Sequence, residues 1–194
     1  MGTALAGPVT EWLSRWSDGQ RDALDHILPY VYEQLRQVAR RQVRAESPDV
    51  ISATTVVHET YLRLRQQRRI QASDRAAFLG AAACMMRRVI VDHARRRKRA
   101  KRGSGAAMDS IHDVEVAAWL SDVEAEEVLA LDDVLGRLRA LDPRVASVVE
   151  HRVFAGLTLE ETAEALHVSA KTVQRDWTTA RAWLRKELGR DIDA

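Results

Sequence analysis

Leu157-Thr158-Leu159-Glu160-Glu161-Thr162-Ala163-Glu164-Ala165-Leu166-His167-Val168-Ser169-Ala170-Lys171-Thr172-Val173-Gln174-Arg175-Asp176-Trp177 is the run whose reading decides the fold. Thr158 followed three residues later by Glu161 is a capping box that opens a helix. Ala163 is small where two helices must approach closely. Leu166 and Val168 bracket a tight turn, and Ser169 is placed to cap the helix that follows. His167 stands in the turn where Gly is commonest, and His tolerates the left-handed conformation better than most residues. Val173 and Trp177, four apart, pack the second helix back on the first. Small, apolar and capping residues in this order are those of a helix-turn-helix. The exposed face of the second helix carries Lys171, Thr172, Gln174 and Arg175, donors that reach base edges and phosphates, and Arg181 and Arg185 continue it. An ordinary helical hairpin with a solvated polar face remains the plainer alternative.

Upstream of this run, Val128, Leu129, Leu131, Val134, Leu135 and Leu138 repeat at helical spacing. Asp142-Pro143 closes that helix and opens another, with Asp142 as N-cap and Pro143 at the first helical position. Val145, Val148, Val149 and Val153 carry the new helix to about Ala155-Gly156. Gly103-Ser104-Gly105 begins a boundary segment, 103–122, that loses clear periodicity. Some helix near Val114–Leu120 is compatible with its composition. Before it, Trp12 and Trp16 form one short helix. Ala23, Ile27, Val31, Leu35 and Val38 form a second, with Ser17 or Asp18 as its expected N-cap and Pro29 as a possible kink. Glu46–Asp49 reads as a loop. A third helix runs from about Ala53 to Gln67 with Val56, Val57, Thr60, Tyr61 and Leu64 inward. A fourth, capped by Ser73 or Asp74, carries Phe78, Leu79, Ala82, Met85, Met86, Val89 and Ile90. No stretch keeps a period of two. The expectation is an all-α chain of two small helical domains, 8–102 and 123–189, joined by an acidic linker, 103–122, with the second a four-helix domain ending in the helix-turn-helix.

The charges are segregated although the net charge is only +2. Arg87, Arg88, Arg95, Arg96, Arg97, Lys98, Arg99, Lys101 and Arg102 face a single acid, Asp92. Asp109, Asp113, Glu115, Asp122, Glu124, Glu126, Glu127, Asp132 and Asp133 follow with no Lys or Arg among them. More cations gather here than a helix C-terminus needs, so the basic block points to a polyanion and the acidic one to a connector that stays off it. No segment offers the ~20 apolar residues of a membrane span, and the first residues lack a signal-peptide pattern. One cysteine, Cys84, leaves neither an intrachain disulfide nor a multi-cysteine metal site. A cytoplasmic protein without cofactor or metal is expected. His58-Glu59 opens a metalloprotease-like pattern, but Leu62 stands where the second His is required. Cys84, among Ala, Met and Phe, reads as a buried inert thiol, and the tryptophans read as packing residues. No catalytic constellation emerges, so the chain reads as a non-enzyme.

Taken together, the segments resemble the extracytoplasmic-function (ECF) sigma factors of bacterial RNA polymerase over nearly the whole chain. Thr54-Thr55-Val56-Val57-His58-Glu59-Thr60-Tyr61-Leu62-Arg63-Leu64 is similar to that family's polymerase-binding helix. Phe78-Leu79 through Arg95-Arg96 is similar to the helix that melts and reads the minus-ten element, and 123–188 to the domain that reads the minus-thirty-five element. The resemblance implies that Val56, Val57, His58, Glu59, Tyr61 and Leu62 meet the polymerase β′ clamp. It implies that Arg87, Arg88, Asp92, Arg95 and Arg96 line promoter DNA, and that Lys171, Thr172, Gln174 and Arg175 enter the major groove. The 67–75 loop would receive a flipped base, and the linker would run toward the RNA exit path. Core RNA polymerase (β′ clamp and β flap) and promoter DNA are the implied partners, with a Ser/Thr protein kinase and an anti-sigma factor as further ones.

One departure matters. Family members usually carry acids at the start of the polymerase-binding helix, where this chain has Thr54 and Thr55. That feature resembles a subgroup in which a kinase supplies the charge, so phosphorylation of Thr54, or else Thr55, is expected to switch polymerase binding on. The plainer alternative is that Ser52, Thr54 or Thr55 caps the helix and binding is constitutive. A helix-turn-helix regulator acting without polymerase is the alternative function. A recombinase using Tyr32 or Tyr61 is a third, and neither Tyr has suitable Arg or His neighbours at readable spacing.

Overall fold

The computed structural model describes residues 6–20, 22–43, 52–67, 72, 74–101 and 122–189. Among them are helices and no strand. In chain order they are α1 (Ala6–Ser17), α2 (Ala23–Gln42), α3 (Ala53–Gln66), α4 (Arg75–Lys101), α5 (Asp122–Leu141), α6 (Pro143–Val149), a π-helical turn (Glu150–Phe154) that continues α6, α7 (Leu159–Ala165) and α8 (Ala170–Leu188). The all-α expectation holds. The 46–49 loop, most of the 67–75 loop and the linker expected before α5 lie outside the described residues.

Local chemistry sets most boundaries. Ser52 Oγ accepts from Thr55 N, Asp74 Oδ1 from Ala77 N, and Asp142 Oδ1 from the amides of Arg144 and Val145. Each satisfies a donor that a helix start leaves unpaired. One expectation about α2 is revised. Ser17 and Asp18 close α1 instead of opening α2: Asp18 N bonds to Ser14 O, and Gly19, at φ 95°, folds back to Trp16 O. Glycine reaches that left-handed region without a Cβ penalty. Helix α2 then starts at Ala23 behind Asp22, and it runs through Pro29 to Gln42 without interruption.

Two apolar cores result. The first gathers Leu13 and Trp16 of α1, Leu24, Ile27 and Val31 of α2, Val56 and Leu64 of α3, and Phe78, Met86 and Ile90 of α4. Trp16 meets Phe78 edge to face. The second joins Val134, Leu135 and Leu138 of α5, Val145, Val148 and Val149 of α6, and Val173, Trp177, Ala180 and Leu184 of α8. The inward faces expected from periodicity are therefore the ones buried, except that Trp12, Tyr61, Val128, Leu129, Leu131 and Val153 are only partly covered.

The two helix sets also pack on each other. Ala155 and Leu157, which follow the π-helical turn, belong to the first core, and Val128, Phe154 and Ala165 pack against it. Ala94 of α4 meets Ala125 of α5. Helix α4 is the shared element, touching α5, the π-helical turn and α7 as well as α1–α3. At Gly80 the approach is close: a Cβ there would overlap the His151 imidazole. From α2, the Arg41 guanidinium donates to Ala155 O at 3.0 Å and lies against Gly156, where a Cβ would collide with it.

Candidate nucleic-acid and partner interfaces

The helix-turn-helix forms as its sequence dictates. Thr158 Oγ1 accepts from Glu161 N, and Glu161 Oε2 accepts from Thr158 N at 2.8 Å, completing the capping box. Ala163 is buried, as the close approach of α7 and α8 demands. His167 adopts φ 53°, the one positive φ at a non-glycine among the described residues. Ser169 Oγ caps α8 by accepting from Thr172 N at 3.1 Å. Asp176 is buried on the inner side of α8 beside Trp177. It accepts from Arg144 Nε at 2.6 Å, which ties α8 to α6, and from Arg175 at 3.3 Å. The Arg144 hydrogen bond outweighs the cost of burial and holds its carboxyl below the ordinary carboxylate range. Lys171, Gln174 and Arg175 are exposed on the outer face, while Thr172 is half-buried and its hydroxyl pairs with Ser169 Oγ. Three long donors on the first two turns of a helix that projects from a packed hairpin are what major-groove reading needs.

Helix α3 presents a different surface. Val56 and Val57 lie in the first core, where they set the position of α3. Glu59 is half-buried, and both its carboxylate oxygens lie 3.1 Å from His93 Nε2. Burial alone would raise the Glu59 carboxyl, but the His93 hydrogen bond and the charges of His93, Arg63 and Arg96 hold it below its usual value. The Tyr61 hydroxyl donates to Asp25 of α2. Of the six residues that the resemblance assigns to polymerase, only His58 and Leu62 are exposed. Together with Thr54 and Arg65 they form one outward stripe. Ser52 takes the capping role, so Thr54 is exposed in the first turn of α3, a turn that contains no acid.

The basic helix is covered unevenly, and Arg95 is 56% exposed. Arg88 is exposed, and Arg96 is half-buried. Asp92 accepts from Arg63 of α3 at 2.8 Å. Arg87 is only 11% exposed and donates to Asp132 of α5 and, at 3.0 Å, to Glu150. Arg95 reaches the other oxygen of Asp132 at 3.0 Å, and Arg139 of α5 donates to Glu150. Cys84 Sγ donates to Glu150 Oε2 at 3.2 Å. Burial, with the Glu150 charge added, pushes the Cys84 thiol up to about 12, which makes it inert, as its neighbours implied.

Sequence reading missed this cluster. It took Glu126, Glu127, Asp132 and Asp133 as the tail of an acidic block that avoids the polyanion site. They lie on α5, the helix expected around Val128–Leu138, and Asp132 meets two of the cations expected to face DNA. Glu150 carried the only local signal, a carboxylate following Val148-Val149 in an apolar run.

Among the described residues no group of His, Cys, Asp and Glu is disposed to hold a metal ion, and no helix is long and apolar enough to cross a membrane. Against protein-family models, the one described as ECF sigma factor matches residues 6–190. No curated protein matches the chain.

Proposed function

The chain belongs to the ECF sigma factor family, and from that premise we propose how its surfaces divide the work of binding RNA polymerase and recognising a promoter. The segment 8–102 is the polymerase-binding and minus-ten unit, and 123–189 is the minus-thirty-five unit. Lys171, Gln174 and Arg175 read base edges and phosphates, with Thr172 supporting the first turn of α8. Arg87, Arg88, Arg95 and Arg96 meet promoter phosphates, and Asp92 positions α4 through Arg63. The outward stripe of α3, Thr54, His58 and Leu62, meets the polymerase clamp.

Phosphorylation of Thr54 turns that contact on. The observation that carries this is the absence of any outward acid at the start of α3. Ser52 already caps the helix, Glu59 is turned inward to His93, and Thr54 alone faces out from the first turn with a modifiable hydroxyl. A phosphate there adds about −1.5 to −2 charges. It sits at the positive end of the helix dipole, where an anion is favoured by about 0.3–1 kcal/mol. A basic partner surface then gains charge-assisted hydrogen bonds that the unmodified helix cannot supply. Thr55 is the weaker candidate because its hydroxyl is 2.9 Å from Ser52 Oγ.

The test is binding of labelled wild type, Thr54→Glu and Thr54→Ala to core RNA polymerase at fixed salt, read by fluorescence anisotropy. The switch predicts measurable binding for Thr54→Glu and little for the other two. Equal tight binding by all three would leave a constitutive sigma factor. No binding by any, with intact duplex binding, would favour a helix-turn-helix regulator that works without polymerase.

A further inference from the structure

We propose that Asp176 is a positioning residue for promoter recognition: its carboxylate braces one edge of the Arg175 guanidinium, so that the other edge is presented to a guanine of the minus-thirty-five element. This rests on the reading of Arg175 as a base contact.

The Asp176 side chain is 4% exposed on the inner side of α8, whereas Arg175, one residue earlier, is 68% exposed. A buried carboxylate persists only where partners offset its desolvation. Arg144 of α6 supplies that offset. Its Nε donates to Oδ2 at 2.6 Å, and its Nη2 lies 3.4 Å from Oδ1. The tie between α8 and α6 is complete with Arg144 alone. Arg175 nevertheless turns back onto the same group, and both its Nε and its Nη2 donate to Oδ1 at 3.3 Å. An ion pair made by so exposed a side chain contributes little to stability, so its effect is on where the guanidinium points.

The atoms used decide what Arg175 can offer. Nε–H and the near Nη2–H are parallel and form one edge of the guanidinium plane. With that edge on Asp176, the end formed by Nη1 and the outer Nη2–H is left, and among the described residues nothing accepts from Nη1. Two parallel N–H groups match guanine, which presents O6 and N7 as paired acceptors in the major groove. Adenine sets a donor beside N7, and the pyrimidines offer no such pair. An unbraced arginine must order several side-chain torsions to make this fork. Asp176 orders them beforehand, which lowers the cost of binding. Arg175 also lies in the second turn of α8, within the part of a recognition helix that meets base edges.

The experiment is selection by the full chain from a duplex library randomised over a short window, at low salt, where phosphate contacts are strongest. Base frequencies at each position and affinity for random duplex are read separately. Wild type should enrich guanine at one position, and Arg175→Ala should lose that enrichment. The brace is removed in the double variant Arg144→Gln, Asp176→Asn. Replacing both members of a buried pair by neutral amides is tolerated far better than removing one, and circular dichroism checks the fold. Guanine preference should fall on the order of fivefold, part of the roughly tenfold that a bidentate contact supplies. Affinity for random duplex should hold, because net charge is unchanged. Arg144→Gln alone leaves the carboxylate on Arg175 and should keep the preference. Retained preference in the double variant, with Arg175→Ala having lost it, would overturn the brace and leave Arg175 a base reader. Equal loss in Arg144→Gln and the double variant would reduce Asp176 to a structural tie and also overturn it. A preference untouched by Arg175→Ala would remove the reading on which the brace rests, and an Arg175-dependent preference for another base would refute the argument from the free edge.

Discussion

Replacing Glu150 by Gln tests whether the buried ionic cluster contributes to stability. The Glu150 side chain is 4% exposed and accepts from Arg87, Arg139 and the Cys84 thiol. Glutamine keeps the shape and one accepting oxygen, but it turns an NH2 group toward guanidinium N–H groups, donor against donor. Breaking a buried pair by removing one partner costs roughly 3–5 kcal/mol. Two features reduce that figure here. Arg139 is 41% exposed and can be rehydrated, and Arg87 retains Asp132. The expected loss is about 2–3 kcal/mol, above a typical charged hydrogen bond's lower bound of ~1.5 kcal/mol. At about 2–4 °C per kcal/mol for a chain of this size, the melting temperature falls by about 4–12 °C. Urea titration followed by far-ultraviolet circular dichroism gives the free energy directly. The exposed pair Arg137–Glu187 is the control: Arg137→Gln should cost no more than about 1 kcal/mol. A Glu150→Gln protein within about 0.5 kcal/mol of wild type would refute the reasoning, because it would mean that desolvation of the cluster cancels its attraction.

Two further outcomes follow from local chemistry. His151 is buried, with Nδ1 2.7 Å from Ser147 O, and burial pushes its pKa below the usual value despite the opposing pulls of that carbonyl and the Glu150 charge. The unfolded chain therefore binds a proton that the folded chain resists, so stability is full above about pH 6.5 and declines as pH falls from there toward the folded value. The urea midpoint should fall between pH 7.5 and pH 5.5, by less in His151→Asn than in wild type, and an identical fall in both would remove His151 from the account. Thr158→Ala deletes the hydroxyl half of the capping box that starts α7; it should cost about 1 kcal/mol, and a chemical melt showing no loss would mean that water replaces the cap without penalty.

The helix-turn-helix was legible because its determinants are close in sequence. Thr158 with Glu161, Asp142 with Val145, and Ser169 with Thr172 are all contacts within four residues, and each cap appears in the structure where the sequence placed it. The same locality explains the buried faces of α3 and α4. Where two local signals compete, the reading failed: Ser17-Asp18 looks like a helix start, but Gly19 in the left-handed region makes it a helix end. The interfaces were only half legible. Exposed donors on α8 follow from period alone, but Glu59 turning inward to His93 depends on how α3 rests on α4. The pairings of Arg87 with Asp132 and Glu150, and of Gly80 with His151, join residues 45 or more positions apart. Periodicity carries no information about which distant helix supplies the partner, so Asp132, which a linear reading counted in an acidic block, turned out to pair with Arg87 and Arg95 of the basic helix.

The π-helical turn at Glu150–Phe154 makes the chain sensitive to length as well as to residue type. Up to Val149 the segment feeds the second core; past the turn, Ala155 and Leu157 feed the first. One added residue in a helix advances its phase by about 100°, and a π turn is that added residue accommodated in place. Deleting any single residue from 150–154 would restore an α-helical phase and swing Ala155 and Leu157 off the first core. A conservative set of side chains cannot compensate for this, because the error is angular. Deletions in 150–154 should therefore abolish joint packing of the two helix sets, read as an increased radius of gyration in small-angle X-ray scattering.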